Sequence, residues 1–114
     1  MTILTKTEGM SLKDVVALTK GNDIQKMSDA KGEVLDFDKV VIYEDTDKDG
    51  KPMKVLAVQT VAGDKYATNS SVFIRNYEEI MEIFANADEE APTTFKVGSG
   101  VSKNGRPFIT CDIA

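Results

Sequence analysis

The sequence predicts a mainly β domain of five strands, with one helix between the third and the fourth, and three observations carry that prediction. Runs rich in β-branched and aromatic residues, Val40-Val41-Ile42-Tyr43 and Val55-Leu56-Ala57-Val58, lie close together as in a meander. The apolar period then changes, because Phe73, Tyr77, Ile80 and Phe84 recur at intervals of four, three and four, which is one face of a helix. Further on, Asn104-Gly105 separates two strand-like runs, and that pair suits the positive φ angles of a tight hairpin turn.

Residues 1–31 read as an N-terminal extension with a short helix, and residues 32–114 as the β domain. In the extension, Ser11 and Asp14 have the spacing of a capping pair, and Leu12, Val15, Val16 and Leu18 sketch an amphipathic turn or two ending near Gly21. The first long strand runs from about Gly32 to Tyr43, with a bend expected near Asp36 to Asp38. Met53 to Val61 is the second strand, residues 62–65 a turn with glycine and aspartate, and Lys65 to Thr68 the third. The helix is capped by Ser70 or Asn69, carries Ile74 and Met81 beside its stripe, and ends near Asn86. After Pro92 come the last two strands, Thr93 to Val101 and Arg106 to Ile113. This order matches the OB fold, a five-stranded Greek-key barrel whose second and third strands and flanking loops bind oligonucleotides.

Composition narrows the function. A chain of 114 residues, 41% hydrophobic and 29% charged, makes one soluble globular domain. There is no histidine and a single cysteine, Cys111, so neither a zinc site nor a disulfide framework is expected. No nucleophile and base can be paired, which argues against an enzyme, and no cofactor is expected. Apolar runs stop at about four residues, far short of a membrane span, and the start, MTILTKTEGM, has no signal-peptide core. A cytoplasmic location follows as the expectation, and the Asn69-Ser70-Ser71 sequon is then a chance match.

Asp45, Asp47 and Asp49, followed by Gly50, imitate the first half of a calcium-binding loop. The twelfth position of such a loop needs a bidentate glutamate, and here it is Leu56 inside a strand. The segment therefore reads as a solvated hairpin connection with no metal.

Charge is unevenly placed. The net charge is −5, and Glu78, Glu79, Glu82, Asp88, Glu89 and Glu90 fall in a window without lysine or arginine. From Thr93 onward the sign reverses, with Lys96, Lys103 and Arg106 against Asp112. A local basic field of this kind can serve a nucleic acid even on an acidic protein.

The stretches GDKYATNSSVFIRNYEEIMEIF and TTFKVGSGVSKNGRPFITCDIA carry a Gly-x-x-Tyr lead-in to the helix (Gly63 to Tyr66), a Thr-Phe-Lys-Val strand (Thr94 to Val97) and a Ser-Lys-x-Gly hairpin (Ser102 to Gly105). Over about residues 63–114 the chain thus resembles the single-stranded-DNA-binding proteins of small protein-primed tailed phages. The resemblance implies an OB-like fold that coats displaced strands during phage DNA replication, without sequence preference and without catalysis. Its partners would be single-stranded DNA and, beside it, replication proteins, and its location the host cell cytoplasm.

Such binding needs rings on which bases stack and cations that follow the phosphates. Tyr43, at the end of the first long strand, and Tyr66, at the family motif, are the candidate rings, while Phe95 and Phe108 are expected mainly in the core. Lys54, Lys65, Lys96, Lys103 and Arg106 are the candidate phosphate contacts, with Lys39 nearby in sequence. The alternative is an acidic protein-interaction module, such as a phage-encoded inhibitor or adaptor, that occupies a basic groove on its target.

Overall fold

A computed structural model describes residues 1–114. In chain order its elements are β1 (Thr2–Lys6), α1 (Leu12–Lys20), β2 (Gln25–Lys26), a 3-10 turn (Met27–Ala30), β3 (Val34–Thr46), β4 (Pro52–Thr60), β5 (Lys65–Thr68), α2 (Ser71–Asn86), β6 (Thr94–Val101) and β7 (Pro107–Ile113). Together they form a mainly β half-barrel, a curled mixed sheet with two helices.

The long strand β3 organises the sheet. Its first residues, Val34 to Asp36, pair with β6, and from Phe37 onward it pairs with β4. The register slips between Phe37 and Lys39, so Asp38 is the extra residue of a bulge, and the bend falls where the acidic residues of the strand predicted it. Bent in this way, one strand belongs to both arms of the half-barrel. The sheet runs β2-β5-β4-β3-β6-β7, with β1 also paired to β3. All five expected strands and the intervening helix form, but β1 and β2 bring the total to seven, and β5 and β7 do not pair to close a barrel.

The helix α2 packs on β7 and β4. Ser70 caps it by accepting the Phe73 N–H at 3.2 Å, and Asn76 Oδ1 accepts the Cys111 N–H of β7 at 3.3 Å, which occupies part of that open edge. Phe73, Ile74 and Tyr77 are buried with Phe37, Phe95, Leu56 and Val58 in the main core. Ring centroids of Phe37 and Phe95 stand 4.9 Å apart, and Tyr77 meets Phe95 edge-on at 5.5 Å. Phe84, expected in the same stripe, is only half-buried, and beside it Ile83 is exposed, so the last turn of α2 is less covered than the first two.

Residues 1–31 are not an appendage in packing terms. Ser11 Oγ accepts the Asp14 N–H at 3.1 Å while Asp14 Oδ2 accepts the Ser11 N–H at 3.2 Å, the reciprocal cap that the sequence predicts. Behind this cap, Met10, Val15 and Leu18 cover Val41, Tyr43, Val55 and Ala57 on the outer face of β3 and β4. Each such aliphatic burial stabilises by about 1.5–3 kcal/mol. Both faces of these strands are therefore covered, which is why they read as continuous apolar runs. Met27 and Ala30 of the 3-10 turn are fully buried in the main core.

Candidate nucleic-acid interface

The two candidate tyrosines are buried. Tyr43 is 8% exposed beneath α1, since it lies on the outer face of β3 with Val41, and burial, with Asp45 as the lesser cause, pushes its phenol above the usual range. Tyr66 is 7% exposed and pairs across from Val58, whose side chain faces the main core, so the tyrosine faces inward as well. Neither ring offers a face to a base. The structure does not support the stacking role given to both from sequence: Tyr43 lies beneath α1 and Tyr66 lies in the core.

Two candidate cations are engaged. Lys54 Nζ stands 3.1 Å from Glu78 Oε1 of α2, and Lys65 Nζ stands 3.1 Å from Asp23 Oδ2, with the lysine side chain largely covered. The Lys65 hydrogen bond holds the Asp23 carboxyl below its ordinary value. Lys39, another lysine considered from sequence, is paired with Asp14 at 3.4 Å. These lysines serve the fold's own carboxylates.

The other three candidates share one element. Lys96, Lys103 and Arg106 all lie on the β6–β7 hairpin, all are exposed, and none is in an ion pair. The tip that carries two of them is firmly built: the Ser102 N–H donates to the Arg106 carbonyl at 2.9 Å, the Gly105 N–H donates to the Ser102 carbonyl at 2.9 Å, and the Arg106 N–H donates to Ser102 Oγ at 3.1 Å. Gly105 has φ +77°, the left-handed value that the Asn-Gly turn requires. Lys96 is opposite Val34 on one side and Asp112 on the other.

Between Lys96 and the tip, the same face of the ribbon carries Gly98 and Gly100, opposite Thr110 and Phe108. Phe95 and Val97 point to the other face, into the core. Phe108 is thus the aromatic that strand alternation turns outward; it is half-buried and leans over Gly100. The signal was present in the sequence: with Ile109 and Cys111 inward, Phe108 alternates outward, and glycine opposite an aromatic marks a cross-strand cover.

The acidic loop is organised by its own backbone. Asp47 Oδ1 accepts the N–H groups of Asp49 at 2.8 Å and Lys51 at 2.9 Å, while Asp45 Oδ1 accepts the Thr46 N–H. No three carboxylates, cysteines or histidines cluster as metal ligands. No helix is long and apolar enough to cross a membrane.

No protein-family model, curated protein or solved structure matches the chain.

Proposed function

We propose that the chain binds single-stranded DNA without sequence preference and without catalysing a reaction, as a protein that protects displaced strands in phage-type replication. The observation that carries this reading is the β6–β7 hairpin: Lys96, Lys103 and Arg106 are exposed and free of ion pairs on one ribbon, which also bears the outward Phe108. Cations on the same ribbon as an outward ring are what a sequence-tolerant strand binder needs. The run β3, β4, β5, α2, β6, β7, with β3 paired to both β4 and β6, also follows the strand string of an OB barrel left open between β5 and β7.

Titration of a fluorescent oligothymidine of about thirty nucleotides tests the reading, since OB folds cover about 4–16 nucleotides each. Binding at 50 mM salt that fades steeply toward about 200 mM is the expected result. No binding at micromolar protein and low salt would move the function to the alternative, an acidic face. That alternative rests on Glu79, Glu82, Asp88, Glu89 and Glu90, all exposed on the second half of α2 and the segment that follows it.

A further inference from the structure

Two grooves, of about 460 and 570 Å³, adjoin each other at the end of β5, where both are lined by Ser28, Thr68 and Asn69, and the second reaches β7 at Pro107, Phe108 and Ile109. The first also contains Lys26, and the second Lys31 and Phe108. No residue lining either groove is acidic, whereas two other clefts, beside α2, carry Glu78. On a protein of net charge −5, two neighbouring grooves free of carboxylates mark a path from which anions are not repelled. Lys26 and Lys31 are exposed and in no ion pair, unlike Lys54 and Lys65.

We infer that this double groove, which runs past the part of the outer face that α1 leaves partly uncovered at Met53, Val55 and Ala67, is the path of the polynucleotide, with Lys26 and Lys31 on the phosphates and a base stacked on Phe108. The inference rests on the single-strand-binding reading above and extends it to residues that the hairpin alone does not include. The chemistry of the lining fits. Hydroxyl and amide groups of Ser28, Thr68 and Asn69 can donate to phosphate or base edges without adding charge. Phe108 is backed by Gly100, which holds one side of the ring and leaves the groove side for a base. Two grooves in series suit a polymer better than a single small ligand.

The test is fluorescence anisotropy with labelled oligothymidine over a salt series, on the full chain and on Lys26→Gln/Lys31→Gln, Phe108→Leu and Phe108→Tyr, each checked for folding by denaturant unfolding. The double lysine variant should lower the salt slope by about 1.4, since each single-strand phosphate contact contributes about 0.7. Phe108→Leu should weaken binding about five- to a hundredfold with the slope unchanged, and Phe108→Tyr should retain affinity. Lys13→Gln/Lys48→Gln, outside both grooves, should leave the slope as it is. If the full chain binds and all groove variants bind like it while Lys103→Gln/Arg106→Gln weakens, the path is wrong and the hairpin reading stands. If the full chain binds no oligonucleotide, both fall.

Discussion

The Phe108 side chain leans across Gly100 on the neighbouring strand so closely that a β-carbon at residue 100 would stand 2.6 Å from its Cζ. The ring above it, and not a positive φ, is what opposes a side chain there. Gly100→Ala should therefore destabilise by about 1–3 kcal/mol, as other overpacking changes do. In a Phe108→Ala background the same substitution should cost less than about 0.5 kcal/mol, because the clashing group is gone. Urea unfolding of the four proteins measures the coupling, and equal costs in both backgrounds would mean that the ring does not press on the glycine.

The two phenylalanines of the α2 stripe should behave differently. Phe73 is fully buried, so Phe73→Ala should cost about 3–5 kcal/mol. Phe84 is half-buried on the less covered last turn, so Phe84→Ala should cost about 1–2 kcal/mol, a fraction of the full truncation. Equal losses in denaturant unfolding would mean that the end of α2 is held more tightly than its exposed Ile83 implies.

What was legible in the sequence follows a physical rule. Elements with a one-sided pattern or a local signal were readable: the Ser11–Asp14 cap, the bulge at Asp38, the Asn104-Gly105 turn and the buried stripe of α2. β1 was not, because every residue of Thr2–Lys6 is exposed and the strand exists only through its backbone pairing with β3. The candidate rings failed for a related reason. A tyrosine in a strand can face either way, and whether the outer face is open depends on where α1 comes to rest, which no local pattern states. The ion pairs of Lys54 and Lys65 join residues 24 and 42 positions apart, beyond the reach of spacing arguments. That Lys103 and Arg106 share one hairpin tip was readable because the Asn104-Gly105 turn between them is a local signal.

Alkaline stability should report the buried acids of the core. Burial, with Asp112 as the lesser cause, pushes the Cys111 thiol up to about 12 from an ordinary 9.0, and burial pushes Tyr77 up to about 12 from 10.0. The unfolded chain loses these protons first, so it is favoured as pH rises. The stabilising contribution is complete below about pH 9 and declines from there to about pH 12. Cys111→Ala should flatten the part of the decline that starts near pH 9, and Tyr77→Phe a share of the part that starts near pH 10, to which the raised phenols of Tyr43 and Tyr66 also contribute. Denaturant midpoints between pH 8 and 12 read this out; identical profiles in the two variants and the parent chain would place the titrating groups elsewhere. At neutral pH the same burial should leave Cys111 unreactive to thiol reagents until the chain unfolds.

The acidic loop should depend on Asp47 and not on calcium. Its Oδ1 accepts two backbone N–H groups, from Asp49 and Lys51, while Gly50 turns the chain at φ +79°. Asp47→Ala leaves those two groups to water and should cost about 0.5–1.5 kcal/mol, whereas Asp47→Asn keeps the accepting oxygen and should cost less. Calcium should not raise the melting temperature, because a carboxylate already committed to the turn is poorly placed to serve as a ligand and Leu56 stands where the closing glutamate would be. A ligand that bound the folded chain at a hundredth of its working concentration would add about 2.7 kcal/mol of stability. Thermal unfolding with and without millimolar calcium would show such a gain at once. If it appeared, and Asp47→Ala abolished it, the loop would be a metal site and the turn geometry a state of it without metal.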